Sequence, residues 1–456
     1  MAYSLQQSTK VSPINRVEKW WVFSVVFLTG YEFLVPVDVS DLNRNVSVSL
    51  PFWASKMEII HGIYLRDVMF ILYILVFVIL FLKRIPVSKY TGIFALLIFS
   101  LALVGIVSSV INDQGFTDIF EAFRLILFSL FFVCVVYWCR LLGALAVLRI
   151  FLWGVFVANI INLYFTFTAP WMLMGILPML LGQNGPGGAM GFLIAFAAIF
   201  YLICKRKEDR IFAIIFTLVG VFTLIISFSK LGMLMGVLGV FSWVAVLMRN
   251  SSFKNLMLTG AVAVLFFGSL AFWLNTTETG TKVVESAELF YFYKFGAEGT
   301  GLVDQGDGGD SERIFYYKGV SEIFLNNPIF GVSYSGFSKA ITKTKAKETG
   351  KLPDDTNNDG ANPHNVFLYY ISANGFFGLI FTTALYLGFL GIIGYLLQPY
   401  GFTGLIIWGC VFGASVIHTN TLTSFFNTSI MYLPSAVALL IILERKEGLK
   451  NLNQEI

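Results

Sequence analysis

Twelve apolar stretches, each close to the roughly 20 residues that cross a bilayer as a helix, restrict this chain to one class of fold. They fall at 20–38, 63–82, 90–110, 119–138, 143–168, 186–204, 211–228, 231–248, 255–274, 366–397, 401–418 and 427–443. Hydrophobic residues make up 57% of the chain and charged residues 13%, against roughly 25% charged in a soluble domain. So much apolar surface cannot be hidden in one aqueous core. The pattern predicts an all-α polytopic membrane protein with about 12 transmembrane helices. The first run is too long for a removable signal peptide and lacks its small-residue cleavage site, so it reads as an anchor.

Basic residues set the orientation, because loops rich in Lys and Arg stay cytoplasmic. Lys10, Arg16 and Lys19 precede the first span; Lys83, Arg84 and Lys89 follow the second; Arg140 and Arg149 follow the fourth. Lys205, Arg206, Lys207 and Arg210 follow the sixth, Arg249 and Lys254 the eighth, and Arg445 and Lys446 the twelfth. The alternate loops 111–118 and 169–184 hold neither Lys nor Arg. Both termini are therefore expected in the cytoplasm. The net charge of +4 comes from these short clusters, which gives no reason to expect a nucleic-acid partner.

One long polar insert, between the ninth and tenth spans, divides the chain into 1–274 (nine helices), 275–363 (an extracytoplasmic domain) and 364–456 (three helices). Its front half is acidic, with Glu298, Asp304, Asp307, Asp310 and Glu312; its second half is basic, with Lys339, Lys343, Lys345, Lys347 and Lys351. Asp310 or Ser311 fits the N-cap of a helix ended by Asn326-Asn327-Pro328. Apolar residues at 314, 315, 320, 323 and 324 give that helix one buried face, and Gly331 to Phe337 reads as a turn.

The candidates for chemistry stand around this insert. His364 is one of three histidines. Asn362 fits an N-cap and Pro363 the first helical position, so His364 is expected in the first turn of the tenth span. The helix dipole there favours neutral imidazole, which can accept a proton from a hydroxyl; the plainer role is a hydrogen bond between loop and helix. Arg313 suits bidentate capture of a phosphate, or an ion pair with Glu312 or Asp310. Lys230, after Ser227-Phe228-Ser229, either meets a lipid head group or snorkels from its turn.

Arg124 lies inside the fourth span, where an ionisable residue is costly and marks function unless paired; Glu121, one turn earlier, is the expected partner. Arg66 and Asp67 at the outer end of the second span are similar. Asp355, Asn357 and Asp359, with Gly360, match the first half of a calcium-binding EF-hand loop, but Val366 stands where its bidentate Glu belongs. An Asx-rich turn is the simpler reading. The four cysteines form no C-x-x-C pair, so neither a disulfide framework nor a zinc site is expected.

Several of these residues fall into an ordered set. Ser227-Phe-Ser229-Lys230-Leu-Gly232, Ser311-Glu-Arg313, Asn327-Pro328-Ile-Phe-Gly331, Pro363-His364-Asn365 and Asn374-Gly375-Phe-Phe-Gly378 together resemble the bacterial O-antigen ligase and polymerase family. The similarity spans about Gln183 to Gly378. It implies a GT-C-like membrane glycosyltransferase acting on glycan carried by undecaprenyl diphosphate at the inner membrane. A chain-length regulator or a flippase is the protein partner it suggests. An acceptor sugar hydroxyl would attack the anomeric carbon, with His364 as general base and Arg313 and Lys230 holding the diphosphate. Arg124 would be a further cation near the head group. No cofactor is expected, because fixed cations can stabilise a charged leaving group. Family members usually carry arginine at the position of Lys230, so this chain offers a point charge where the family has a planar fork. The acceptor separates a repeat-unit polymerase, the leading expectation, from a ligase that moves glycan onto lipid A–core. A twelve-helix secondary transporter is a more distant alternative, since it would have a central cytoplasmic loop and related halves.

Overall fold

The computed structural model describes residues 16–33, 58–60, 63–81, 89–168, 186–227, 230–250, 308–341, 343–344, 365–419 and seven isolated helical positions at 272, 276, 281, 438, 439, 441 and 442. Its helices follow the apolar runs: α1 (Arg16–Phe33), α2 (Leu65–Phe81), α3 (Lys89–Ile111), α4 (Phe116–Leu142), α5 (Ala144–Thr168), α6 (Pro186–Ile203), α7 (Lys207–Ser227) and α8 (Lys230–Asn250). Within the insert come α9 (Gly308–Asn326) and the short α10 (Gly336–Ile341), and after it α11 (Val366–Leu397) and α12 (Gly401–Thr419). The ninth and twelfth expected spans lie outside the described residues apart from isolated positions. Four described stretches are long and apolar enough to cross a membrane, namely Lys89–Ile111, Asp118–Trp138, Ala144–Ile161 and Val366–Val416. The chain is a membrane protein built of apolar helices. One local departure from the all-α expectation is a small antiparallel hairpin before α2, β1 (Glu58–Ile60) with β2 (Ile63–Tyr64).

α6 packs against α7, α8 and α12, α1 against α5, and α3 against both α4 and α11. One large apolar cluster runs through these helices, with Trp138, Phe132, Phe151, Phe192 and Phe389 at its centre. Polar contacts tie together the basic helix ends. Arg149 forms an ion pair with Asp209 at 3.1 Å. Arg210 Nε donates to the Cys204 carbonyl at 2.9 Å, and Arg249 Nη1 to the Tyr400 carbonyl at 2.5 Å.

A second, smaller core belongs to the insert. Tyr316, Val320 and Ile323 of α9 meet Val332, Phe337 and Ile341, with Leu368 and Ile371 of α11 packed against them. The buried face expected on α9 is thus present at 320 and 323, with Tyr316 added. α9 begins at Gly308, ahead of the expected cap at Asp310 or Ser311.

The turn between α9 and α10 is fastened to a break in α11. Gly375 has φ 62° and ψ −148° inside that helix, a region open essentially to glycine. An unbroken helix would bond the Phe376 N–H to the Ser372 carbonyl. Here Phe376 N–H donates to the Pro328 carbonyl at 2.7 Å, and the freed Ser372 carbonyl accepts from Val332 N–H at 2.9 Å. The Ala373 carbonyl accepts from Ser333 N–H at 2.9 Å and from Ser108 Oγ of α3 at 2.8 Å. Turn and helix have exchanged backbone partners. Gly331, at φ 67°, completes the fit: a Cβ there would stand 2.6 Å from the Ala373 carbonyl carbon, and one on Gly375 2.7 Å from Phe330 N.

Gly331→Ala and Gly375→Ala are each expected to lower the thermal midpoint of the detergent-solubilised protein. Backbone strain alone costs about 1–3 kcal/mol, before any displacement of the facing backbone. Gly391→Ala and Gly409→Ala, where a Cβ meets nothing within 4 Å, should be neutral or stabilising by up to about 1 kcal/mol. Four equal shifts would contradict the exchange.

Candidate functional site

The turn is also held by the corner between α3 and α4, where the sequence places Asn112, Asp113 and Gln114 between two apolar runs. Asn112 Nδ2 donates to the Gly331 carbonyl at 3.2 Å. Asp118, buried in the first turn of α4, accepts from Ser335 N–H at 2.5 Å and from Ser109 Oγ at 2.6 Å. Ser335 Oγ donates to Gln114 Oε1 at 3.1 Å. Fully buried Asn374, beside the break, donates from Nδ2 to Tyr334 Oη at 3.0 Å, while its Oδ1 has no partner among the described residues. In the sequence Asn374 stands out only as the first residue of the Asn374–Gly378 motif and Tyr334 only as part of the 331–337 turn, while Asp118 and Asn112 do not stand out at all. The signal for Asn112 and Asp118 is a crowd of polar residues at the end of an apolar run, which a loop explains equally well.

α9 and the head of α11 therefore form one packed unit, and this unit carries one of the expected site residues. Arg313 lies within α9. His364 lies outside the described residues, next in sequence to Asn365, which caps α11 with φ −145° and ψ 124° and accepts from Leu368 N–H at 3.0 Å. The cap expected at Asn362 is thus at Asn365, and the helix starts one residue past His364's neighbour, at Val366. The physical reason is that Asn365 satisfies an orphan amide with its own side chain, which Pro363 at N1 would have left to Asn362. His364 itself lies outside the described residues, so its place relative to that cap remains an expectation.

Lys230 is the first residue of α8. That helix packs on α6, α7 and α12, and α12 in turn packs on α11. Lys230 thus belongs to the same bundle, one helix removed from the α9–α11 unit. Asp355, Asn357 and Asp359 lie outside the described residues, and no group of His, Cys, Asp and Glu suited to a metal ion occurs among the described ones.

Arg124 has a different partner from the one expected. Its Nε donates to Asp67 Oδ1 at 3.1 Å and Oδ2 at 3.2 Å, and Nη2 to Oδ2 at 3.1 Å. Both side chains are 3% exposed, and Cζ stands 5.2 Å from the Phe120 ring centre. A carboxylate on the neighbouring α2 can meet the guanidinium fork side-on, a bidentate geometry. The pair joins α2 to α4 inside the apolar bundle and compensates the charge of Arg124.

Comparison with known proteins bears on the stretch that holds most of these residues. Residues 215–383 match the family model described as O-antigen ligase. No curated protein matches the chain. The matched stretch includes Lys230, Gly331, Arg313, His364 and Gly375, and leaves out Asp67, Asp118 and Arg124.

Arg124→Ala is expected to destabilise the folded protein by about 3–5 kcal/mol, because it strands a buried carboxylate. Replacing both partners, Arg124→Met with Asp67→Leu, should recover most of that loss. The check is the thermal midpoint in detergent; a double variant as unstable as the single one would show that the pair is not the source.

Proposed function

From the match of residues 215–383 to the O-antigen ligase family model, we propose that the chain joins oligosaccharide repeat units carried on undecaprenyl diphosphate, on the outer side of the bacterial inner membrane. The observation that carries this reading is the family match over a stretch in which Arg313's helix is packed against the helix that His364 precedes. The glycan-assembly activity belongs to the family; the donor, the polymerase direction and the residue roles are the proposal.

In the reaction, a hydroxyl of the acceptor sugar attacks the anomeric carbon of the donor. A new glycosidic bond forms as the bond from that carbon to the diphosphate oxygen breaks, and the electron pair leaves with the diphosphate. His364 takes the hydroxyl proton. Arg313 binds the diphosphate through its planar fork and Lys230 as a point charge, so charge developing on the leaving oxygen meets fixed cations and no metal is needed. Arg124 is the weakest contributor to this field, since Asp67 already compensates its charge. A chain-length regulator or a flippase would work beside such an enzyme.

The family match does not separate this from a second reading, transfer of finished glycan onto lipid A–core by the same donor chemistry. Deletion of the gene followed by gel analysis of surface glycan separates the two. Loss of the ladder above a single repeat marks the polymerase; lipid-linked polymer accumulating beside bare core marks the ligase. In the complemented strain, His364→Ala should cut glycan extension by about 10²–10⁴-fold with normal amounts of protein in the membrane. Arg313→Lys should impair it nearly as much as Arg313→Ala. A fully active His364→Ala protein would remove the assigned base.

A further inference from the structure

α11 is too long for a single crossing. Its 32 residues extend about 48 Å at 1.5 Å per residue, against a hydrocarbon thickness of about 30 Å. The part after the break at Gly375, Phe376–Leu397, extends about 33 Å, which matches one crossing. The break therefore marks the membrane boundary, and the turn fastened to it lies at that depth. Ser108 and Asp118, its other anchors, stand near the end of α3 and the start of α4, as the same level requires.

The large side chains that the turn leaves uncovered by protein are apolar, with Asn326 and Ser335 the exposed polar ones beside them. Leu325, on the last turn of α9, is 78% exposed and Ile329 56%, and next to them Phe376 is 52% exposed. Pro328 is bonded to the backbone of Phe376, and the Phe330 ring lies 5.9 Å from that of Phe377. Earlier on α9 the open face is mixed, with Lys318 and Ser321 exposed beside Tyr317. Irregular backbone is tolerated at membrane depth only where its polar groups are paired. In this turn the amides of Gly331, Val332, Ser333 and Ser335 all have acceptors.

We propose that the tip of the insert, Leu325 to Phe330, is seated in the bilayer, with Leu325 and Ile329 among the acyl chains of the adjoining leaflet. Lipid is the occupant because the patch continues without a break into Phe376, Phe377 and Ile380 of the membrane-crossing part of α11, which are themselves uncovered. The seating holds α9 at the lipid surface. Arg313 then stays on a helix tethered to the leaflet that would present a lipid-linked diphosphate; this last consequence rests on the proposed transfer reaction, whereas the seating does not.

The test is a nitroxide label on the full chain, reconstituted in vesicles of phosphatidylethanolamine and phosphatidylglycerol, with the native cysteines replaced by serine. Ile329→Cys and Lys318→Cys are labelled separately, and collision with oxygen, which concentrates in lipid, is compared with collision with a water-soluble nickel chelate. The label at 329 should show a several-fold higher oxygen-to-nickel ratio than the label at 318. Equal ratios would overturn the seating. So would a label at 329 shielded from both reagents, which would show a protein surface, a second copy included, covering the patch. Glycan activity enters neither readout, so failure here and failure of the transferase reading remain separate results.

Discussion

The exchange of backbone hydrogen bonds between the 328–333 turn and the broken helix at Gly375 is the constraint on which the rest of the arrangement depends. A helix interrupted near lipid leaves amide and carbonyl groups that water cannot reach, and each costs several kcal/mol if unpaired. Ser372 and Ala373 lose their helical donors at the break and regain donors from Val332, Ser333 and Ser108. Phe376 loses its acceptor and finds Pro328. Neither partner is satisfied alone, so turn and helix must come together. That requirement fixes the insert to the membrane bundle, and with it α9 to the head of α11.

Charge is arranged around the same joint. Asp118 is held by an amide and a hydroxyl at the start of α4, where a helix N-terminus favours a negative group. Asp67 and Arg124 neutralise each other deeper in the bundle. The cations that the proposal assigns to an anionic substrate are Lys230, the first residue of α8, and Arg313 of α9, both within residues 215–383. This division of labour separates residues that hold the bundle together from those that the proposed chemistry would use.

Among the described residues the helices were legible from hydrophobic run length alone, because lipid leaves the backbone little choice. The family resemblance, read from five short motifs, agrees with the match over 215–383. The details that failed were local. α11 reads as one uninterrupted span because its break needs only Gly375, and a glycine in an apolar run is common in membrane helices; the partner that makes the break tolerable is more than 40 residues away in sequence, at Pro328 to Ser333. The cap at Asn365 competed with an equally suitable Asn-Pro pair at 362–363. Arg124 was given Glu121 because sequence spacing reveals neighbours on one helix, whereas Asp67 is brought close only by the packing of α2 on α4. Asp355 to Asp359, like His364, lies outside the described residues, so those readings stand as expectations.

Hydrogen exchange of the purified chain in detergent tests the central joint most directly. The amides of Val332, Ser333 and Phe376 belong to opposite sides of one exchange and should be protected together, opening with the same free energy as the interior of α11. If Val332 and Ser333 exchange at the rate of an open loop while Phe376 and its helix stay protected, the turn is not fastened to the break, and the account of how the insert is held fails.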